Sequence, residues 1–225
     1  MLNQKAIIIG ATGLVGYELL SELCSKKYYA SVISLARKPL KLLTNDHQHY
    51  IIDFEALDKF EKVFQADDLF ICLGTTLKKA GSKERFIAID KNYVLNSARL
   101  FLAQGGKRVF LVSSTGANAE SKIFYSRIKG ETENELKRMN VEQLYIFRPG
   151  LLLGNRSEHR AFELWARKAY GAINALLQPS LNTYIGTKAN DLARAMISCA
   201  VDDSITPKTF SNKEIKKISS NEETE

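Results

Sequence analysis

The chain has 225 residues, 45% of them hydrophobic and 25% charged, which suits one α/β domain with a sizeable core. It contains no run of about 18 apolar residues, so no transmembrane segment is expected; nor does it open with the basic and apolar regions of a signal peptide, and a cytoplasmic protein is expected. The net charge of +7 suits phosphorylated ligands, but the densest basic group (Lys78, Lys79, Lys83 and Arg85) carries no RNA-binding motif, so nucleic acid is not expected as a partner.

Lys5 to Ile9 reads as a first strand, and Leu14 to Ser25 as a helix with Val15, Leu19, Leu20 and Leu23 at helical spacing. Ser31 to Leu35 and His49 to Asp53 read as the second and third strands, with a helix over Glu55 to Phe64. The run Leu69 to Leu73 is apolar throughout, as a central parallel strand should be. A long helix is predicted from about Lys83 to Gln104, stopped by Gly105-Gly106. A strand over Val109 to Ser113, a helix over Ser121 to Met139 and a strand over Leu144 to Phe147 complete the pattern.

Alternating strands and helices predict a doubly wound, mostly parallel Rossmann sheet. One domain over 1–212 is expected, with small substrate-side elements from about 150 and a flexible tail over 213–225. Cys24, Cys72 and Cys199 form no CxxC, so neither a disulfide framework nor zinc is expected. His47 and His49 alternate at the head of a strand and, with His159, make no convincing metal set.

In such sheets ligands sit beyond the carboxyl ends of the strands. There the first strand runs into Gly10-Ala11-Thr12-Gly13-Leu14-Val15-Gly16. Glycines at 10, 13 and 16 allow a tight turn, a close approach to a pyrophosphate and close packing of the helix, whose N-terminus favours anions. Arg37 comes 21 residues after Gly16, where NAD enzymes commonly carry an acid for the ribose 2′-hydroxyl. Arg37 and Lys38 suit a 2′-phosphate instead, which predicts NADP(H). Asp53, with Phe54 beside it, either accepts from the adenine amino group or caps the next helix. Gly74, between Leu73 and Thr75, would let the chain pass close to the cofactor ribose.

Tyr125 and Lys129 lie four residues apart on one helix face, after the strand that ends in Ser113-Ser114-Thr115. Tyr184 and Lys188 have the same spacing but come after no serine cluster. A free tyrosine, with a pKa of about 10, is almost wholly protonated at neutral pH. A nearby ammonium stabilises the phenolate, so Tyr125 could act as the acid or base of a hydride transfer with Lys129 beside it. Ser114 is the favoured substrate-orienting hydroxyl, with Ser113 and Thr115 as alternatives.

Together these motifs resemble the extended and atypical short-chain dehydrogenases, over Gly10 to about Arg160. The resemblance implies that Asn92 relays protons through water, and it includes the turn Phe147-Arg148-Pro149-Gly150. Closer similarity is to the oxidoreductase family that contains the human Tat-interactive protein. It rests on Asp53-Phe54-Glu55, on Cys72-Leu73-Gly74-Thr75-Thr76 with Lys79-Ala80-Gly81, on Asp90 with Tyr93-Val94-Leu95, and on Lys129-Gly130-Glu131. That family resemblance implies NADP contacts at Arg37, Lys38, Leu73, Gly74, Tyr125, Lys129, Leu152 and Arg160.

Only 10 residues separate Ser114 from Tyr125, and 96 come after Lys129, which leaves little chain for a substrate domain. His159 and Trp165 fall near the expected pocket rim. The leading expectation is an NADP(H)-dependent oxidoreductase acting on a small carbonyl or alcohol, as a monomer or homodimer. The alternatives are an NADPH-binding regulatory module with a protein partner, and a sugar-nucleotide epimerase.

Overall fold

The computed structural model describes residues 2–153 and 186–221. Its strands are β1 (Leu2–Ile9), β2 (Tyr29–Ala36), β3 (His47–Ile51), β4 (Asp68–Ile71), β5 (Arg108–Val112), β6 (Gln143–Arg148), β7 (Leu151–Leu153), β8 (Gly186–Lys188) and β9 (Thr209–Ser211). Seven of them form one sheet in the order β3-β2-β1-β4-β5-β6-β9, and every pairing in it is parallel. β7 and β8 pair separately. The strand order reverses at β1, so the chain leaves β1 and β4 towards opposite sides and opens a crevice at their carboxyl ends.

Strand alternation divides the apolar side chains between two layers. On one face Ala6, Ile8, Phe70, Phe110, Tyr145 and Phe147 pack under α1 (Leu14–Lys26) and α6 (Ala189–Val201). On the other, Ile7, Ile9, Leu69, Ile71, Val109 and Leu111 meet α4 (Tyr93–Ala103) and a 3-10 helix, Phe54–Phe64. Within the first layer Phe70, Phe110 and Tyr145 stack in succession, with ring centroids 4.5 and 4.6 Å apart.

At the amino ends of the strands, Asp68 is fully buried and grips Arg108 through Nε at 2.5 Å and Nη2 at 2.6 Å. The Tyr29 hydroxyl also donates to Asp68, and Arg108 reaches the carbonyl of Ala200 at 2.9 Å. This clasp joins β2, β4, β5 and α6 at the end opposite the crevice.

Three elements depart from the sequence pattern. The long helix expected over Lys83 to Gln104 is α3 (Lys83–Ile87) and α4 joined by a π turn, Ala88–Asn92. The helix expected from Ser121 starts at Phe124 as α5 (Phe124–Arg138), because the Ser121 hydroxyl accepts the Ile123 N–H at 3.1 Å and holds a turn there. The stretch expected as a tail from Lys213 is instead part of α7 (Asn212–Asn221), whose Ile215 is completely buried. A short helix, α2 (Leu77–Ala80), comes after β4 and is capped by Thr76, whose hydroxyl accepts the Lys79 N–H at 3.2 Å.

Candidate dinucleotide and active site

A cavity of about 320 Å³ lies in the crevice at the switch in strand order. Gly10, Thr12 and Gly13 form one wall, Arg37 and Phe54 another, and Leu73, Gly74 and Thr75 a third. Gly10 has φ +87°, a left-handed conformation that a side chain would strain, and a Cβ there would lie 2.6 Å from the carbonyl oxygen of Cys72. A Cβ on Gly16 would fall 2.3 Å from the oxygen of Gly10. The turn therefore brings the start of α1 against the end of β4 with no side chain between them. The N-cap of α1 is Gly13, which has no side chain to cap with and lines the cavity, so the first turn of the helix starts at the cavity. Of the expected contacts in this turn, Val15 puts its side chain into the core and Leu14 packs half-buried against it, which leaves only their backbone to a ligand.

Arg37 and Lys38 leave β2 exposed, with no carboxylate partner among the described residues, and Arg37 lines the cavity. The cavity is also lined by Lys79, Arg85 and Tyr93, which sequence reasoning did not single out for the site. Arg85 donates to Glu55 at 2.8 Å and to the Tyr93 hydroxyl at 2.6 Å, and Tyr93 stacks on Phe54 at 5.0 Å. The available signal is the spacing of Arg85, Ile89 and Tyr93 along one helical face. Asp53 caps the 3-10 helix, accepting the Glu55 N–H at 3.0 Å, which realises the cap among its two expected roles.

α5 carries Tyr125 and Lys129 one turn apart; like Ser114 they do not line the cavity, but Lys129 stands behind Gly74, which does. Tyr125 is half-buried against Phe86, with centroids 5.7 Å apart. Lys129 is 6% exposed, and its ammonium meets Asp90 Oδ1 at 2.8 Å. Burial pulls this ammonium down, but the Asp90 carboxylate, helped by Tyr125 and Glu133, more than offsets it and holds the group above the ordinary lysine value. Asp90 Oδ2 accepts the Thr75 N–H at 2.9 Å, so that donor serves the protein rather than a ligand. Gly74 faces the pair: a Cβ on it would stand 3.7 Å from Asp90 Oδ1 and 3.8 Å from Lys129 Nζ.

Asn92, the expected proton relay, is exposed and does not line the cavity. The π turn presents Asp90 inward in its place.

The three candidate hydroxyls have different surroundings. Ser113 donates to Glu133 at 2.5 Å, and Glu133 is held by Arg148 through both oxygens, at 2.9 and 2.5 Å. Thr115 is exposed and donates to the carbonyl of Arg148 at 3.1 Å. The Ser114 hydroxyl is buried and has no partner. Among the described residues, it and Asp90 Oδ1 are the two buried side-chain polar atoms without a well-directed hydrogen bond. Asp90 Oδ1 is nonetheless engaged by the Lys129 ammonium, so Ser114 is the hydroxyl left open to a ligand, and native proteins leave few such groups unsatisfied.

Pro149 is buried, and its carbonyl accepts the Thr115 N–H at 2.9 Å, while Leu152 packs half-buried against the core. Arg160, His159, Trp165 and Tyr184 lie outside the described residues. Among the described residues no His, Cys, Asp or Glu group is arranged to hold a metal, and no helix is long and apolar enough to cross a membrane.

Residues 34–179 match the HIM1 family model. The chain is 38% identical over 177 residues to Protein HTATIP2 of Rattus norvegicus, covering 77% of this chain and 73% of the relative. It is 29% identical over 215 residues to the mitochondrial protein FMP52 of Candida albicans, covering 90% and 93%. The expected cytoplasmic location does not stand, because fungal relatives carry mitochondrial names, among them fmp52-1 of Aspergillus terreus at 35% identity over 73% of each chain. The fold matches MoeE5 in complex with UDP-glucose and NAD, with TM-score 0.71, 14% identity and coverage of 96% and 81%. It also matches a short-chain dehydrogenase/reductase superfamily protein from Agrobacterium tumefaciens with bound NAD, with TM-score 0.67, 13% identity and coverage of 92% and 76%. The family model covers more than half of the chain and the HTATIP2 relative more than two thirds of it, so the chain belongs to the HIM1 family, with HTATIP2 among its relatives.

Proposed function

We propose that this protein is an NADP(H)-dependent oxidoreductase that interconverts a small carbonyl and its alcohol, and that it works in mitochondria, as the names of its fungal relatives suggest. The observation that carries the reading is the cavity at the switch point. Glycines line its turn, and Arg37 lines it without a carboxylate partner among the described residues. The residues fit a dinucleotide: the cradle has no room for side chains at Gly10 and Gly16, and the uncapped start of α1 suits a pyrophosphate. Arg37 and Lys38 would hold the 2′-phosphate, with Phe54 under the adenine.

NADP(H), when bound, supplies or accepts the hydride. Tyr125 gives its proton to the carbonyl oxygen on reduction and takes it back from the hydroxyl on oxidation. The Lys129 ammonium lowers the cost of the phenolate left behind. Ser114 donates to the same substrate oxygen and so orients it.

One observation favours the alternative of a cofactor-binding module with weak turnover. The Asp90 carboxylate, 2.8 Å from Lys129, offsets part of the positive field that would otherwise act on Tyr125.

Titration with NADPH and NADH, monitored by cofactor fluorescence, tests the reading. Arg37→Ala should weaken NADPH about tenfold or more, since a hydrogen bond to a charged group is worth about 1.5–3 kcal/mol, and should spare NADH. Equal losses for both cofactors would remove the 2′-phosphate assignment. Tyr125→Phe should abolish turnover of small aldehydes and ketones while NADPH stays bound; unchanged turnover would eliminate Tyr125 as the proton donor.

A further inference from the structure

Ser34 is a fully buried serine in β2, paired in register with His49 of β3. Its hydroxyl lies 2.8 Å from His47 Nε2 and 2.8 Å from His49 Nδ1. His47 Nδ1 faces the backbone N–H of Leu43 at 3.2 Å, and His49 Nε2 faces the carbonyl oxygen of Lys38 at 3.1 Å.

The two ends fix the protons between them. An N–H can only donate, so His47 Nδ1 is bare and its proton sits on Nε2, pointing at Ser34. A carbonyl can only accept, so His49 Nε2 carries a proton. Ser34 receives from His47, and its own hydrogen goes to His49 Nδ1 at 2.8 Å in preference to the Gln48 carbonyl at 3.5 Å. The result is one directed chain: Leu43 N–H to His47, His47 to Ser34, Ser34 to His49, and His49 to the Lys38 carbonyl. Burial, and after it the neighbouring His49, hold the His47 imidazolium below the usual histidine range.

The chain ends on the exposed loop that carries Arg37 and Lys38, directly after β2. Those two side chains make no ion pair with a described residue, so the loop's bearing on the cavity comes from its backbone. We infer that His49 is a positioning residue for cofactor choice: it holds the Arg37–Lys38 backbone through the Lys38 carbonyl and so aims the two cations at a 2′-phosphate. The buried Ser34 and His47 form a rigid rear support, and the selectivity of the loop depends on it. This inference rests on the NADP(H) reading above.

The test compares wild type, Arg37→Ala, His49→Asn and His49→Gln by fluorescence titration with NADPH and NADH. An Asn amide retains the acceptor for Ser34 but falls short of Lys38; a Gln amide reaches Lys38. His49→Asn should reduce the NADPH-over-NADH preference about fivefold, the worth of about one hydrogen bond, with NADH affinity unchanged. His49→Gln should restore most of the preference. Nitrogen NMR of the wild type should find both rings bare at Nδ1 and protonated at Nε2. An unchanged preference in His49→Asn, or an Nδ1-protonated His49, would overturn the relay while leaving the 2′-phosphate reading intact if Arg37→Ala still loses NADPH. A wild type without preference, or an Arg37→Ala that loses neither cofactor selectively, would remove both.

Discussion

Asp90 and Lys129 form a buried ion pair, and the cost of separating them is large. In Asp90→Asn the amide oxygen still accepts the Thr75 N–H, but the ammonium is left without a counter-charge in a site where Lys129 is 6% exposed. Urea unfolding should show a loss of about 3–5 kcal/mol. A loss under about 1 kcal/mol would mean that the ammonium finds another partner or sheds its proton. Family resemblance pointed to Asn92, two positions along, as a proton relay, and the structure leaves that side chain exposed. A π turn inserts an extra residue into the helix and rotates the residues beyond it, and no residue type announces it. The hydroxyl was ambiguous for a related reason. Ser113, Ser114 and Thr115 are chemically alike, and only Glu133 and Arg148, arriving from α5 and β6, occupy two of the three.

The last helix shows what a local pattern can do. Ser211 and Glu214 form a capping box: Ser211 donates to the Glu214 carboxylate from its N–H at 2.8 Å and its hydroxyl at 2.7 Å, and its hydroxyl oxygen accepts the Glu214 N–H at 3.4 Å. The Ser-Asn-Lys-Glu run was legible as a helix start, but polar composition from Lys213 onward argued for a tail. Composition missed that Ile215, fully buried, and Ile218, half-buried one turn later, dock the helix on the core. The Lys208 ammonium, and after it the Ser211 donors, hold the Glu214 carboxyl down at about 2 from an ordinary 4.5. A depressed carboxyl stabilises the fold above its unfolded pKa and loses that contribution as pH falls through the folded value. Glu214→Gln should therefore cost about 1 kcal/mol at pH 7, the usual worth of a cap. The gap between variant and wild type in thermal unfolding should narrow from about pH 4.5 towards pH 2. A gap independent of pH would assign the effect to packing.

Across the whole molecule, the stack of Phe70, Phe110 and Tyr145 joins three neighbouring strands beneath α1 and α6. Phe110 is fully buried at its centre and does not line the cavity. Phe110→Ala should lower unfolding stability by about 3–5 kcal/mol, measured in urea, because the rings on both sides cannot collapse into the space. NADPH affinity of the folded variant should be unchanged; a parallel loss of binding would show that the core and the cavity move as one.

The sequence alone determined the alternation of strands and helices, the glycine turn, the basic pair after β2 and the Tyr125–Lys129 spacing. Each of these is local, set by hydrophobic period or by backbone freedom over a few residues. Tertiary structure decided the rest. It brought Asp90 rather than Asn92 to Lys129, left Ser114 as the unpartnered hydroxyl, and closed the cavity with Arg85 and Tyr93. It also tied His49 to the loop that carries Arg37 and Lys38. Those outcomes depend on which side chains from distant strands meet, and on which polar groups are thereby satisfied or left waiting. Packing sets such meetings, and one segment of chain carries no record of them.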